Sequence, residues 1–159
     1  MDPALTIRSA VAADVPLVLQ FIRDLAEYEK LLDTVEATEE RVREGLFGAK
    51  PVAECLLAFV DDAPAGFALF FTNYSTFLAK PGIFLEDLFV RPAFRRRGIG
   101  RALLLHLAKL ANARGCGRMD WTVLDWNIPA LDFYETLGAT VMPQWRVCRL
   151  TGAALARLA

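Results

Sequence analysis

The chain has one histidine, His106, and three widely separated cysteines, Cys55, Cys116 and Cys148, with no CxxC pair among them. A structural zinc site needs four such ligands at short spacings, so none is expected, and the thiols read as reduced and buried. His106 lies inside the leucine-rich segment RALLLHLAKLA. The only possible base for a Ser-His or Cys-His nucleophile pair is therefore badly placed, and covalent catalysis of that kind drops out. Long apolar runs are missing as well. The hydrophobic share is 55%, yet stretches such as GFALFF are short or broken by charge and fall below the roughly 18–20 residues that span a bilayer. A large charge of one sign is also lacking: the formal net charge is −1, which argues against a global field for nucleic acid and leaves room only for a local anion site. The start, MDPALTIRSA, has no secretory pattern, so a cytoplasmic, non-membrane protein is the expectation.

What is present reads as one domain over residues 1–159, a size at which a single core can stand without staples. LTIRSA alternates as a strand. Asp14 is placed to cap a helix through VPLVLQFIRDLAEYEK, with Pro16 in its first turn, and Thr38 to cap a second helix that Gly48 ends. AECLLAFVDDAPAGFALFFTNYS gives two strands around a turn, followed by the strand GIFLEDLFV. A helix is expected from about Gly98 to Arg114, then a strand in RMDWTVL, a helix in IPALDFYETL closed by Gly138, and a last strand in WRVCRL. TGAALARLA is either a short helix or a frayed tail. There is no internal repeat, and the pattern predicts one α/β or α+β sheet with helices on both faces.

The stretch FVRPAFRRRGIGRALL sets arginines and glycines at a strand-to-helix junction. The first amides of a helix have no partner within it and its dipole favours anions there. Gly98 and Gly100 allow close approach of backbone to ligand, while Arg95, Arg96, Arg97 and Arg101 bring charge. The junction lacks the GK-Ser/Thr ending of a P-loop and the third glycine of a dinucleotide fingerprint, where Leu103 stands. On the residues alone, a solvated basic loop and a pyrophosphate cradle both remain open, as does a small nucleic-acid patch.

Arg95, Gly98 and Gly100 match the R/Q-x-x-G-x-G/A pattern, and collinear segments IRSAVAADV, LAEYEK, FLEDLFV and DWNIPALDFYETLGA accompany it, with a late WR. In these the chain resembles the GNAT superfamily of N-acetyltransferases, most specifically its diamine, spermidine/spermine-type members. That resemblance implies a mixed, mostly antiparallel twisted sheet of about six to seven strands, and acetyl transfer from acetyl-coenzyme A to the primary amine of a diamine, polyamine or lysine-like acceptor. It implies a coenzyme held by the main chain of Leu88, Phe89 and Val90, by Arg95 to Arg101 including Ile99, and by Asn127, Ala130 and Tyr134. Asn127 serves equally well as a helix cap.

A primary ammonium, with a reference pKa near 10.4, costs about 4–5 kcal/mol to deprotonate at pH 7, so a proton acceptor is needed. The resemblance selects Glu86 for this, and Tyr134 as the acid. The plain alternatives are a carboxylate that merely attracts a cation and an aromatic that merely packs. If FLEDLFV is a regular strand, Glu86 and Asp87 point to opposite faces. Tyr28, Glu29, Asp87 and Asp125 are the expected acceptor-side residues, Glu29 doubling as an ordinary surface charge. No metal is expected. A peptide acceptor and a non-catalytic acyl-coenzyme A binder are the competing readings. The apolar FALFFTNYSTFLAKPGIF suggests a homodimer that covers part of it.

Overall fold

A computed structural model describes residues 4–159. The elements run β1 (Leu5–Ser9), α1 (Val15–Tyr28), α2 (Glu39–Phe47), β2 (Glu54–Val60), β3 (Ala63–Ser75), β4 (Lys80–Val90), α3 (Ile99–Ala113), β5 (Met119–Trp121), α4 (Ile128–Thr136) and α5 (Gly152–Ala156). They fall into two compact units, the first ending at Thr122 and the second running from Val123 to Ala159.

In the first unit the sheet order is β1-β2-β3-β4-β5; the first three pairings are antiparallel and β4–β5 is parallel. The β2–β3 turn is Asp61-Asp62, both with positive φ (47° and 63°), which matches the right-handed twist of a two-residue hairpin. Alternation along the strands sorts the core. Leu57, Phe67 and Phe89 share one face and join Cys55, the α1 residues Val18, Phe21 and Leu25, and Leu46 of α2 in a single buried cluster. Phe21 and Phe67 stack at 5.2 Å. On the opposite face lie the buried Leu56, Ala68, Phe70 and Leu85, and α3, which touches β2, β3 and β4, brings Leu103, Leu104 and Leu107 there. Each of the buried valine, leucine and phenylalanine side chains contributes about 1.5–3 kcal/mol by leaving water.

Thr38 caps α2 by accepting the Arg41 N–H at 3.2 Å, and Gly48 ends it, as the sequence predicts. Asp14 works differently from the expected cap. Its carboxylate makes no bond into α1; it accepts the Val11 N–H at 2.8 Å and grips Arg8 at 2.7 and 2.9 Å, holding the preceding turn instead. That pairing with Arg8, chiefly by hydrogen bonding, holds the Asp14 carboxyl below its ordinary value.

The strand count is five among the described residues, against the six to seven expected. RMDWTVL pairs only over Met119–Trp121 and WRVCRL forms no strand. An alternating segment becomes a strand only when a sheet edge pairs with it. TGAALARLA forms the short helix α5. No helix among the described residues is long and apolar enough to cross a membrane.

Candidate active site

Three features of the first unit meet around the end of β4. The first is the loop into α3. Pro92–Phe94 makes one turn of 3-10 helix, Arg96 takes φ 62°, and Gly98 takes φ 74° as the residue before the helix. The first bond inside α3 runs from the Ala102 N–H to the Gly98 carbonyl at 2.9 Å. The amides of Ile99, Gly100 and Arg101 therefore have no carbonyl of their own helix to bond, and the left-handed residues at 96 and 98 curl the approach to them. Ile99 is buried and anchors the helix start, while Arg96, Arg97 and Arg101 are exposed beside those amides. Arg97 lies 5.7 Å over the Phe94 ring. Such a cradle of amides and guanidinium groups fits a pyrophosphate.

Arg95 faces elsewhere. Its guanidinium lies 4.8 Å over the Tyr28 ring and 5.5 Å over Phe89, and its Nε–H donates to the Val90 carbonyl at 2.9 Å.

The second feature is an open strand edge. The β4–β5 ladder begins at Ile83↔Met119 and ends at Leu85↔Trp121. Beyond Leu85, no described strand lies in register on that side of β4, so the edge around Leu88 is open to a ligand amide, while the Phe89 carbonyl faces Gly66 on β3 and the Val90 carbonyl accepts the Arg95 Nε–H. On its other side β4 carries a bulge: Phe70 pairs with Leu85 and Leu69 with Asp87, leaving Glu86 as the extra residue. A one-residue insertion of this kind leaves no mark on the apolar alternation of FLEDLFV, and the strand is not regular at Glu86.

The third feature is a group of carboxylates. Glu86 is exposed, whereas Asp87 is half-buried on the Leu69 face. Burial, with the charges of Glu86 and Glu29 adding to it, pushes the Asp87 carboxyl up to about 7. Glu29 follows the last residue of α1 and is raised by desolvation. A carboxylate at a helix C-terminus also opposes the dipole. Burial pushes the Cys55 thiol up to about 12, helped by the charges of Asp14 and Asp87. The Tyr28 ring packs 6.4 Å from Phe89. Tyr28, Glu29, Glu86 and Asp87 thus gather between the end of α1 and β4, the arrangement a cation would seek. The most strongly raised of these carboxyls is Asp87, expected from the sequence only on the acceptor side; its burial depends on contacts that the sequence does not show.

In the second unit, Asn127 caps α4, its Oδ1 accepting the Ala130 N–H at 3.4 Å, and Pro129 sits in the first turn. Asp125 is exposed. Tyr134 is half-buried on α4 with its ring 5.5 Å from Phe133 and tilted 47° to it. Gly138, with φ 86°, follows the helix. Among the described residues, no group of three His, Cys, Asp or Glu side chains is placed to hold a metal.

Residues 20–139 match the family model described as the acetyltransferase (GNAT) family. The chain belongs to that family. The thialysine N-epsilon-acetyltransferase of Bos taurus is 38% identical over 96% of both chains. The L-ornithine N5-acetyltransferase of Arabidopsis thaliana is 34% identical over 94% of this chain and 85% of its own. Among solved structures, an integron cassette protein from the mobile metagenome of V. cholerae superposes with a TM-score of 0.81 at 28% identity, covering 97% of this chain and 96% of that one. An aminoglycoside acetyltransferase from an uncultured soil sample, solved with sisomicin, shares the fold at a TM-score of 0.76 and 19% identity, covering 94% and 95%. The family match spans both compact units, from within α1 to just past Gly138. Five paired strands carry the shared fold without the expected last one.

Proposed function

We propose that the whole chain works as one N-acetyltransferase domain, passing an acetyl group from acetyl-coenzyme A to the primary amine of a small cationic acceptor by direct attack. The observation that carries this is the open β4 edge around Leu88, which leads directly into a loop and helix start rich in unpartnered amides. An extended chain with amides of its own, ending in a pyrophosphate, fits the two in series: Leu88, Phe89 and Val90 for the arm, and Arg96 to Arg101 for the phosphates. Asn127 and Ala130, which match the family's pattern, would also bind the arm. The coenzyme supplies an activated thioester.

The protein's part is proton handling and placement. Glu86 accepts the ammonium proton, directly or through a water, relieving the roughly 4–5 kcal/mol cost of a neutral amine at pH 7. Asp87, Glu29 and Asp125 hold the cationic acceptor, with Tyr28 as an aromatic wall. Tyr134 returns a proton to sulfur as the carbon–sulfur bond breaks. Relatives named for thialysine and L-ornithine favour a small diamine-like or amino-acid-like acceptor.

The test is thiol release from acetyl-coenzyme A with thialysine, L-ornithine, spermidine and a lysine peptide. Turnover of a small amine at ten or more times the peptide's kcat/KM is expected. Peptide preference would transfer the reading to protein acetylation, and calorimetry detecting no uptake of coenzyme A would end it. We further propose that the enzyme is cytoplasmic, acts without metal or nucleic acid, and forms a homodimer in which the second copy covers Tyr74, Phe77 and Leu78, all exposed at the β3–β4 tip. Sedimentation at micromolar concentration should show twice the 17.6 kDa chain mass.

A further inference from the structure

We infer that Arg95 is a positioning residue that ties the coenzyme loop to the acceptor wall, and that the charge on the phosphates comes from Arg96, Arg97 and Arg101. The inference rests on the acetyl-transfer reading above. The guanidinium face is occupied by two rings, Tyr28 at 4.8 Å and Phe89 at 5.5 Å, and one of its edges by the Val90 carbonyl at 2.9 Å. Three contacts on two elements, Tyr28 on α1 and Phe89 and Val90 on β4, fix the plane of the side chain. Arg95 itself has an extended backbone (φ −67°, ψ 162°), and the left-handed Arg96 that follows turns the chain sharply away. Arg95 and its neighbours toward the helix are all exposed, and Arg95 differs from Arg96 and Arg101 in the rings and carbonyl it touches.

The consequence is a mechanical link between two ligands. Tyr28 is the last residue of α1 and stands next to Glu29, whose charge reaches Asp87. Drawing residues 96 to 101 onto phosphate oxygens would set Arg95, and Arg95 would set the Tyr28 ring that faces the amine. By linkage the acceptor would then favour the closed loop to the same degree. Lysine cannot replace the arginine here, because an ammonium has neither a flat face for two rings nor an Nε–H donor.

The experiment compares wild type, Arg95→Met, Tyr28→Leu, the double variant and Arg97→Gln by calorimetry with coenzyme A, and by steady-state kinetics with thialysine or, where it is turned over faster, L-ornithine. Arg95→Met should leave the coenzyme A Kd within about threefold and raise the amine KM about tenfold. Tyr28→Leu should do the same. The double variant should be no worse than either single by more than about twofold, since one contact is lost only once. Arg97→Gln should weaken coenzyme A about tenfold. Arg95→Lys should behave as Arg95→Met. The inference is overturned if Arg95→Met weakens coenzyme A tenfold with an unchanged amine KM, or if the two single effects multiply in the double variant. Wild type that takes up no coenzyme A sinks the acetyl-transfer reading instead. The pairing is then judged by thermal unfolding of wild type, the two single variants and the double: non-additive Tm shifts uphold it and additive ones refute it.

Discussion

Asp87 on β4 lies near enough to Glu29, at the end of α1, for the Glu29 charge to help push its carboxyl up to about 7. An acid whose folded pKa is raised above its ordinary 3.8 binds its proton more tightly when folded. That contribution to stability is complete below about pH 4, declines as the pH rises to about 7, and is gone above it. At about 1.4 kcal/mol per tenfold in affinity, the decline amounts to a few kcal/mol at most. Asp87→Asn should therefore unfold at higher denaturant than wild type at pH 7.5 and at a similar concentration at pH 4. Parallel curves for the two proteins across this range would show that Asp87 titrates normally.

Tyr134→Phe removes only a hydroxyl from a half-buried ring that packs on Phe133. The ring contact is kept, so the protein should stay folded with a melting temperature within a few degrees of wild type. A positioned acid is worth roughly 10²–10⁴ in rate, so kcat should fall by about 10² or more, with coenzyme A affinity kept within about threefold. An unchanged kcat with the best amine would reduce Tyr134 to packing.

Much of this site was legible in one dimension. Glycine at 98 and 100 after three arginines, and apolar periodicity from Ile99 onward, mark an anion-ready helix start because only local geometry is needed. Thr38 and Asn127 were legible as caps for the same reason. What could not be read depends on partners far along the chain. The bulge at Glu86 is a property of register with Leu69 and Phe70. The end of the ladder at Leu85↔Trp121 depends on where β5 stops. Arg95 reads as the motif arginine of an anion loop until Tyr28, on α1, is brought against it. WRVCRL has the right alternation, yet alternation fixes only which side chains share a face, not whether an edge is there to receive them.

Gly98 and Arg96 give a pair of substitutions of opposite sign. A Cβ added at Gly98 meets nothing within 4 Å, so the cost of Gly98→Ala is backbone alone, at φ 74°. The left-handed penalty of about 1–2 kcal/mol, less what alanine gains in the unfolded chain, leaves about 0.5–1 kcal/mol of destabilisation. Arg96 already bears that penalty at φ 62°. Arg96→Gly should stabilise the fold by about 0.5 kcal/mol while weakening coenzyme A several-fold, because a charge leaves the loop. Urea midpoints and calorimetry on the same samples would separate the two effects.

The remaining division of labour is between Glu86 and Asp87. If the acceptor is held as a cation by ionised Asp87, kcat/KM for the amine should climb with pH and level off near pH 7. Asp87→Asn should remove that inflection. Glu86→Gln should lower the whole profile by 10² or more, since the proton acceptor is gone, and should shift the inflection to lower pH, since the Glu86 charge is second only to burial in raising Asp87. The reverse pattern, an inflection near pH 7 that survives Asp87→Asn and vanishes in Glu86→Gln, would assign the titrating group to the bulge residue. The Glu86 charge acts on Asp87, so the two variants need to be measured over one pH range with one amine to keep the assignments distinct.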